Sequence, residues 1–438
     1  MDLLNLQDFE GWTIRDLKNL KFSDLSKKIE DNLLFADLHI HSRFSRACSK
    51  NITLVNLVKW ARIKGLNLLG TGDFTHPEWF REIKGQLKEN NKGFYYYKDS
   101  EGEFPFVITG EVSLVFTQLG KGRRIHLVIL VPDIETAEKI NLYLDLKGRR
   151  DYDGRPIFNI SCEKFAEDMM KISLDIEIIP AHIWTPWFGI FGSESGFDSL
   201  KEAFGEQEKN IHAIETGMSS DPEMNWKLKQ LNDKAIVSFS DSHSFWPFRI
   251  GREATVFKKT DSYKELIRQI REKDFIITIE TDPAYGKYHY DGHRKCNFSS
   301  SFEKTRALKG ICPVCGKPLV IGVENRIEDL RDNPNRFIPE KAKQFFRILP
   351  LHEIIALYLN SKMETKKVWE VYNSLIAMFE NEFNILLRVP KEKFLQAGVE
   401  LKLIELIFKN REGKISVKPG YDGEYGVAEL RERQGTLF

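Results

Sequence analysis

An α/β fold, a parallel barrel or a related strand-and-helix layout, is predicted from two features of this 438-residue chain. Strand-like apolar runs alternate with helical stretches about seven times between Asn32 and Asp282. The runs also keep ending in histidine or carboxylate side chains. In a barrel the C-terminal ends of the strands converge on one face, so residues two hundred positions apart can meet there.

The first run, Leu33 to His41 (LLFADLHIH), ends in two histidines one residue apart. Strand side chains alternate between faces, so His39 and His41 point the same way and their imidazoles can share one metal or bridge two. A helical pattern from Leu54 to Lys64 follows, closed by Gly65, and LNLLGTGDFTHP then presents Asp73 and His76. FVITGEVSLVF carries Glu111, and RIHLVILVP carries His126 near the start of its run. IEIIPAHIW brings His182, IHAIETG brings Glu215, and IVSFSDSH brings Asp241 and His243. Histidine with carboxylate, and no cysteine, selects zinc, manganese or iron over a purely structural thiolate site. Such a mouth has room for two or three ions, which activate water and clamp phosphoryl oxygens, so the chemistry implied is phosphoester hydrolysis. An amidohydrolase would use similar ligands but would need a lysine bridging its metals, and no strand end offers one.

With 42% hydrophobic residues the chain has material for two or three cored domains. No apolar run is long enough to cross a bilayer, and MDLLNLQDFEGW has neither a basic leader region nor a cleavage site. A cytoplasmic protein without membrane contact is expected. Residues 1–31 form a polar lead-in with no assignable role. Net charge is +1 but unevenly placed: residues 283–350 hold 13 Lys and Arg against 7 Asp and Glu, and residues 351–438 hold 13 of each. The first 282 residues therefore carry −5. An acidic body followed by a basic segment suits a metal enzyme with an appended polyanion-binding module.

Five cysteines are too few for a disulfide framework in a chain of this size. Within a module over 283–333, His293-x2-Cys296 and Cys312-x2-Cys315 are separated by fifteen residues, and Gly316 closes the second knuckle. This spacing predicts one structural zinc, with His289 or Asp291 as alternatives to His293. Cys48 and Cys162 have no such partners and read as buried thiols. Lysines and arginines decorate the module, which makes a nucleic-acid backbone a natural partner. Over 334–426 a helical domain is expected, in which Trp369, Tyr372 and Phe379 recur at core spacing. Residues 427–438 form a tail ending RQGTLF.

DLHIH, GTGDFTH, TGEVS, IHLVIL, PAH and SDSH, in this order, resemble the polymerase and histidinol phosphatase (PHP) family of metal-dependent phosphoesterases over residues 32–282. The resemblance implies a distorted (β/α)7 barrel whose catalytic metal ligands fall on His39, His41, Asp73, Glu111, His126, His182, Asp241 and His243. It implies divalent catalytic ions, zinc, manganese or magnesium, two or three in number. Asp73 stands where many members have histidine. Glu215 and His76 are candidates to support the ligands from behind. Many members follow the HxH pair with a Ser-Asp-Gly element, and here Arg46 and Ala47 occupy those positions. That puts a full three-metal site in doubt and offers Arg43 or Arg46 as a phosphate contact.

The tail, through Gln434, Leu437 and Phe438, is similar to the motif by which replication proteins plug into the PCNA sliding clamp. PHP-like body, knuckles, helical segment and tail together resemble the endonuclease Q family. That resemblance implies a monomeric repair nuclease acting on damaged double-stranded or single-stranded DNA. It would nick 5′ to deaminated bases (uracil, hypoxanthine, xanthine) or abasic sites and leave a 3′-hydroxyl. Sensing one altered base requires drawing it out of the stack into an aromatic pocket. IWTPWFGIFGSESGF, with Trp184, Trp187 and Phe188, is the candidate lesion-proximal loop. Two rivals share part of the pattern: a histidinol-phosphate-like small-molecule phosphatase, and a non-catalytic clamp-associated DNA-binding adaptor.

Overall fold

The computed structural model describes residues 32–429. The lead-in 1–31 and the end of the tail, with Gln434, Leu437 and Phe438, lie outside the described residues.

The strand Leu33–Asp37 organises an eleven-stranded mixed sheet. It runs parallel to Leu68–Gly70 on one side, with Ala36 opposite Leu68, and antiparallel to Ala254–Lys258 on the other. Beyond Leu68–Gly70 comes Gly102–Gln118 in parallel, then Lys121–Val131 and Glu177–Pro180, each antiparallel to its neighbour. On the other flank Ile277–Glu280 and Gln344–Arg347 extend the sheet. Ala213–Glu215 and Ala235–Val237 form a separate parallel pair. Backbone bonds tie this pair to the main sheet at both margins: Ile183 donates to the Glu215 carbonyl at 3.2 Å, and His41 donates to the Ser242 carbonyl at 2.9 Å. Most of these strands are apolar on both faces because helices or the far side of the sheet cover each one.

The sheet is therefore mixed, not parallel throughout. FVITGEVSLVF and RIHLVILVP do not alternate with a helix. They form one long hairpin, turned at Leu119 (φ 52°) and Gly120 (φ 73°), in left-handed conformations suited to a tight reversal. This explains His126, whose strand runs opposite to Gly102–Gln118 and Glu177–Pro180 beside it, so that its beginning lies at the end where those strands carry Glu111 and lead into His182.

Helices pack around the sheet. Leu54–Lys64 starts at Thr53, whose hydroxyl accepts from the Asn56 N–H, and ends at Gly65 in the left-handed region. The C-terminal segment is helical over Leu351–Leu359, Lys366–Phe379, Lys391–Gln396 and Leu401–Arg411. Its core is continuous with that of the sheet. Tyr372 is fully buried, as its spacing predicts, whereas Trp369 stays half-exposed. At the join, the Lys64 ammonium meets Glu382 at 2.6 Å with both side chains sealed from water. Tyr372 and the Leu351 N–H donate to the same carboxylate, each at 3.0 Å, so this buried charge is fully partnered. Among the described residues, no helix is long and apolar enough to cross a membrane.

Candidate metal centre

Two groups of ligand-type side chains meet where the strands end. His39, His41, Glu111 and Asp241 form one, and Glu111, His126 and His182 the other. The ligand atoms of each group lie within 4.8 Å of one another, and Glu111 belongs to both. Its Oε1 lies 2.9 Å from His126 Nδ1 and 3.3 Å from His182 Nε2, while its Oε2 lies 3.4 Å from His41 Nε2. Asp241 Oδ1 sits 3.0 Å from His41 Nε2 and 3.6 Å from His39 Nε2. The Glu111–His126 contact follows from the hairpin register. His126 is paired with Ser113, two residues along from Glu111, so all three side chains share a face.

Carboxylates behind the histidines set their tautomers. Glu215 takes the Nδ1–H of His39 at 2.8 Å and also accepts from the His182 N–H at 2.8 Å. Asp73 takes the Nδ1–H of His41 at 2.9 Å and is held by Ser42 and Ser45. A carboxylate only accepts, so each imidazole must carry its proton on Nδ1, leaving the Nε2 lone pair aimed into the cluster. His39 Nε2 is buried and has no hydrogen-bond partner. Four nitrogens and two carboxylates facing one small space, one nitrogen otherwise unsatisfied, fit divalent cations.

The backbone is strained at the same place. Asp73 (φ 46°), His182 (φ 31°) and Asp241 (φ 46°) all occupy the left-handed region, each just past the end of a strand. Non-glycine residues held there cost free energy and concentrate at functional sites.

Charge is concentrated as well. Burial opposes every ionised form, yet Glu215 and Glu111 hold the His39 imidazole well above its ordinary range, and Asp73 and Asp241 do the same for His41. Glu111 is held well below the usual carboxylate range against burial by His126, Arg155 and His39. His126 goes the other way, pushed down to about 4 by burial despite Glu111. A cation entering the site therefore competes with protons for His39 and His41.

The other sequence candidates fall elsewhere. Asp73 stands behind His41, outside both groups, because four donors already occupy its oxygens. His243 lies at the margin, its ring 4.5 Å from that of His41, its Nδ1 donating to the Asp241 carbonyl at 2.9 Å. His76 is buried against Phe44, with ring centroids 4.2 Å apart, and joins neither group. Arg43 is engaged by Glu82, and Arg46 reaches Asp153 at 3.3 Å from an exposed position, so neither faces the cluster. Trp184 is core: it is 1% exposed, and its indole donates to Asn225 at 2.8 Å. Phe188 does lie beside the ligands, its ring 4.3 Å from that of His126, while Trp187 packs on Tyr288 at 5.6 Å.

Sequence reasoning missed Arg155. Its guanidinium reaches Glu111 Oε2 at 3.1 Å, placing a cation at the edge of the cluster. It arrives from the loop DYDGRP, which carries no recognisable pattern. The one signal was Gly154, where a Cβ would overlap the Asp73 carboxylate and the Ser45 hydroxyl.

A family profile described as the MJ0043 C-terminal domain matches residues 350–414. The uncharacterized protein MJ0043 of Methanocaldococcus jannaschii is 28% identical over 293 residues. The aligned part covers 66% of this chain but 35% of that protein, so this chain spans about a third of that relative's length. The crystal structure of the lesion-specific endonuclease PfuEndoQ from Pyrococcus furiosus is 30% identical, with a TM-score of 0.81, covering 92% of this chain and 98% of that one. The chain belongs to the endonuclease Q family. A second endonuclease Q structure, in complex with a 27-mer duplex substrate with an abasic lesion at the active site, is 31% identical with a TM-score of 0.80. It covers 91% of this chain and 97% of that one.

In this endonuclease Q family member a third ligand group stands apart from the first two. His293, Cys296, Cys312 and Cys315 bring their ligand atoms within 4.8 Å of one another. His293 Nδ1 is 3.1 Å from the Cys296 sulfur and 3.3 Å from that of Cys315. The hairpin of Asp291–His293 with Phe298–Ser300 positions the first knuckle, and Gly316 (φ 71°) turns the second. Of the alternatives to His293, Asp291 is occupied by the Gly322 N–H and Asn325, and His289 stacks on Tyr290. A closed set of three sulfurs and one imidazole fits a structural cation. The KPGYDGEYG loop packs on this module, with Tyr421 donating to Asn297 at 2.7 Å.

Proposed function

We propose that this protein is a metal-dependent DNA repair endonuclease that hydrolyses the phosphodiester on the 5′ side of a deaminated base or an abasic site. The observation that carries this reading is the match of nearly the whole chain to endonuclease Q at a TM-score of 0.81, together with the buried His and carboxylate groups that share Glu111. His39, His41, Glu111, His126, His182 and Asp241 would hold the cations. Divalent cations there supply Lewis-acid polarisation of the phosphodiester and activation of water.

The chain's own residues do the rest. Glu215 and Asp73 fix the imidazoles in the ligating tautomer. Arg155 offers a guanidinium to the anionic phosphate at the edge of the cluster, where charge builds up as the bond breaks. Asp241 and His243, whose side chains are 28% and 29% exposed, mark the side by which a substrate enters. Phe188 borders the cluster beside His126 and is the member of the lesion-loop candidates we retain.

The same reading divides the chain into a PHP-type barrel over 32–282, a zinc-binding module over 283–333 and a helical domain over 334–426. It makes Gln434, Leu437 and Phe438 a sliding-clamp contact, and the protein a cytoplasmic monomer. The test is incubation with end-labelled duplex DNA bearing one uracil, hypoxanthine or abasic site, with Mg, Mn or Zn and with a chelator. A nick 5′ to the lesion that chelation abolishes, and that is lost in His182→Ala and Asp241→Ala, supports the proposal. Hydrolysis of a free phosphomonoester without nicking supports the small-molecule phosphatase instead.

A further inference from the structure

The exposed margin of the metal centre continues into the loop Ser244 to Arg252, SFWPFRIGR, and this loop does two things at once. It exposes an indole: Trp246 is 37% exposed. That indole belongs to a trio, its ring centroid 5.1 Å from Trp60 on the helix Leu54–Lys64 and 5.3 Å from Trp369 on the helix Lys366–Phe379. Trp60 and Trp369 are themselves 5.7 Å apart, and both are half-buried. The buried Lys64–Glu382 pair joins the two segments that carry them, so the platform stands on a fixed seam.

The loop also carries two unusual arginines. Many half-buried arginines are matched to carboxylates, for example Arg62 to Asp99, Arg271 to Glu177 and Arg347 to Asp221, while Arg411 is held by three backbone carbonyls instead. Among the described residues, Arg249 and Arg252 have no carboxylate within ion-pair distance. Arg252 donates from Nε and Nη2 to the Ser240 carbonyl at 3.2 and 2.9 Å, which anchors it one residue before Asp241. Arg249 lies over Phe248, 5.8 Å from the ring centroid. Lys59 adds a third cation, 5.7 Å from the Trp60 ring.

Arginines that make no close ion pair, with only the buried Glu353 carboxylate in electrostatic reach of both, beside one exposed indole are complementary to a chain that alternates anionic phosphates with flat bases. Trp246 lies three residues beyond His243, so their Cα atoms are at most about 10 Å apart, within the reach of one to two nucleotides. We infer that the Trp246, Trp60 and Trp369 surface, with Arg249 and Arg252, binds the DNA strand next to the scissile phosphate, stacking a neighbouring base on Trp246 and holding its phosphate. This rests on the nuclease reading and assigns the substrate's second point of contact. Stacking of this kind tolerates any base, so the surface holds the strand while recognition of the lesion occurs elsewhere.

The test is equilibrium binding of the full chain to lesion-bearing duplex without divalent cations, followed by cleavage with them. Trp246→Ala weakens binding about tenfold, the effect of losing one stacked base. Its loss of activity appears as a raised KM for DNA, while its content of bound metal equals that of the wild type because the ligand groups are untouched. Trp246→Phe, which keeps a ring, restores most of the affinity. Arg249→Gln with Arg252→Gln lowers the salt dependence of binding, as loss of phosphate contacts requires. The tryptophan fluorescence that DNA quenches in the wild type is reduced in Trp246→Phe. Unchanged affinity in Trp246→Ala, with quenching the same in Trp246→Phe, overturns the inference even if the wild type nicks DNA. Failure of the wild type to nick any lesion while binding remains sensitive to Trp246 would sink the nuclease reading and leave the binding surface standing.

Discussion

Glu215 receives the Nδ1–H of His39 at 2.8 Å from a strand 176 residues further along the chain. Its other oxygen is held at the backbone N–H of His182. One carboxylate thus orients ligands that belong to the two different metal groups.

Replacing it with glutamine keeps the shape but allows the amide to donate, which lets His39 rotate or change tautomer. Glu215→Gln is expected to weaken divalent-metal affinity about 10- to 100-fold. Titration calorimetry with manganese reads this directly, and a circular dichroism spectrum like that of the wild type shows that the fold persists. Equal affinity in the two proteins would mean that Glu215 is only a structural partner.

Arg155 stands 3.1 Å from Glu111, so removing it changes the charge at the cluster without removing a ligand. Arg155→Gln is expected to lower the cleavage rate about 100-fold, as for loss of one donor to developing negative charge. The number of bound metal ions, measured by atomic emission, stays the same. Arg155→Lys does not restore the rate, because an ammonium lacks the planar fork.

Gly154 leaves no room for a side chain. A Cβ there meets the Asp73 carboxylate, which has no slack because His41, Ser42 and Ser45 hold it. Gly154→Ala is expected to destabilise the fold by about 1–3 kcal/mol, the usual result of overpacking. It also loosens the seat of His41. A lowered melting temperature together with weaker metal binding is the outcome to look for, and a melting temperature equal to the wild type would contradict the geometry.

Glu253, just before the strand Ala254–Lys258, and Glu280, at the end of Ile277–Glu280, are buried close together and belong to no metal group, with the Ser238 hydroxyl 3.4 Å from one and 3.0 Å from the other. Burial pushes both carboxyl groups up, Glu253 further by the charge of Glu280. A group with a raised folded-state pKa binds a proton that the unfolded chain has released. Its stability contribution is therefore complete below the ordinary glutamate range and is lost as pH rises through the raised value. Melting temperature should fall over that window, and Glu280→Gln should flatten the fall. A wild-type profile with no decline across it would rule out the protonated pair.

Chelation tests the cysteine group. Removing a cation from His293, Cys296, Cys312 and Cys315 leaves a small loop-rich module without its main crosslink. Denatured Cys312→Ser should release one equivalent of zinc less than the denatured wild type in a colorimetric assay, and the folded variant should be cleaved more readily by protease between residues 283 and 333. If the wild type carries no zinc there, the module is held some other way.

Much of the centre was legible in the chain. Period-two alternation places His39 and His41 on one face, and ligand types at strand ends pointed to Glu111, His126, His182 and Asp241, all of which the structure brings together. Properties that depend on sidedness were not legible. Asp73 has the chemistry of a ligand, and only the three-dimensional arrangement reveals that His41 stands between it and the cluster. Arg155 comes from a loop, where no periodicity marks a side chain's direction. Trp184 and Trp187 are three residues apart in an aromatic stretch, and local sequence does not say which of them the core claims. The hairpin from Gly102 to Val131 was hidden because two buried apolar runs look the same whether a reversal or a helix lies between them.

The sealed contact of Lys64 with Glu382 has a practical consequence. A shortened protein that stops before Pro350 would lose Glu382 and uncover the Lys64 ammonium together with the apolar face around it that the helices cover. Attempts to obtain a minimal nuclease by trimming the helices would therefore be expected to give insoluble material, and transplanting the metal-bearing half into another scaffold would require bringing Glu382, or a substitute for it, along.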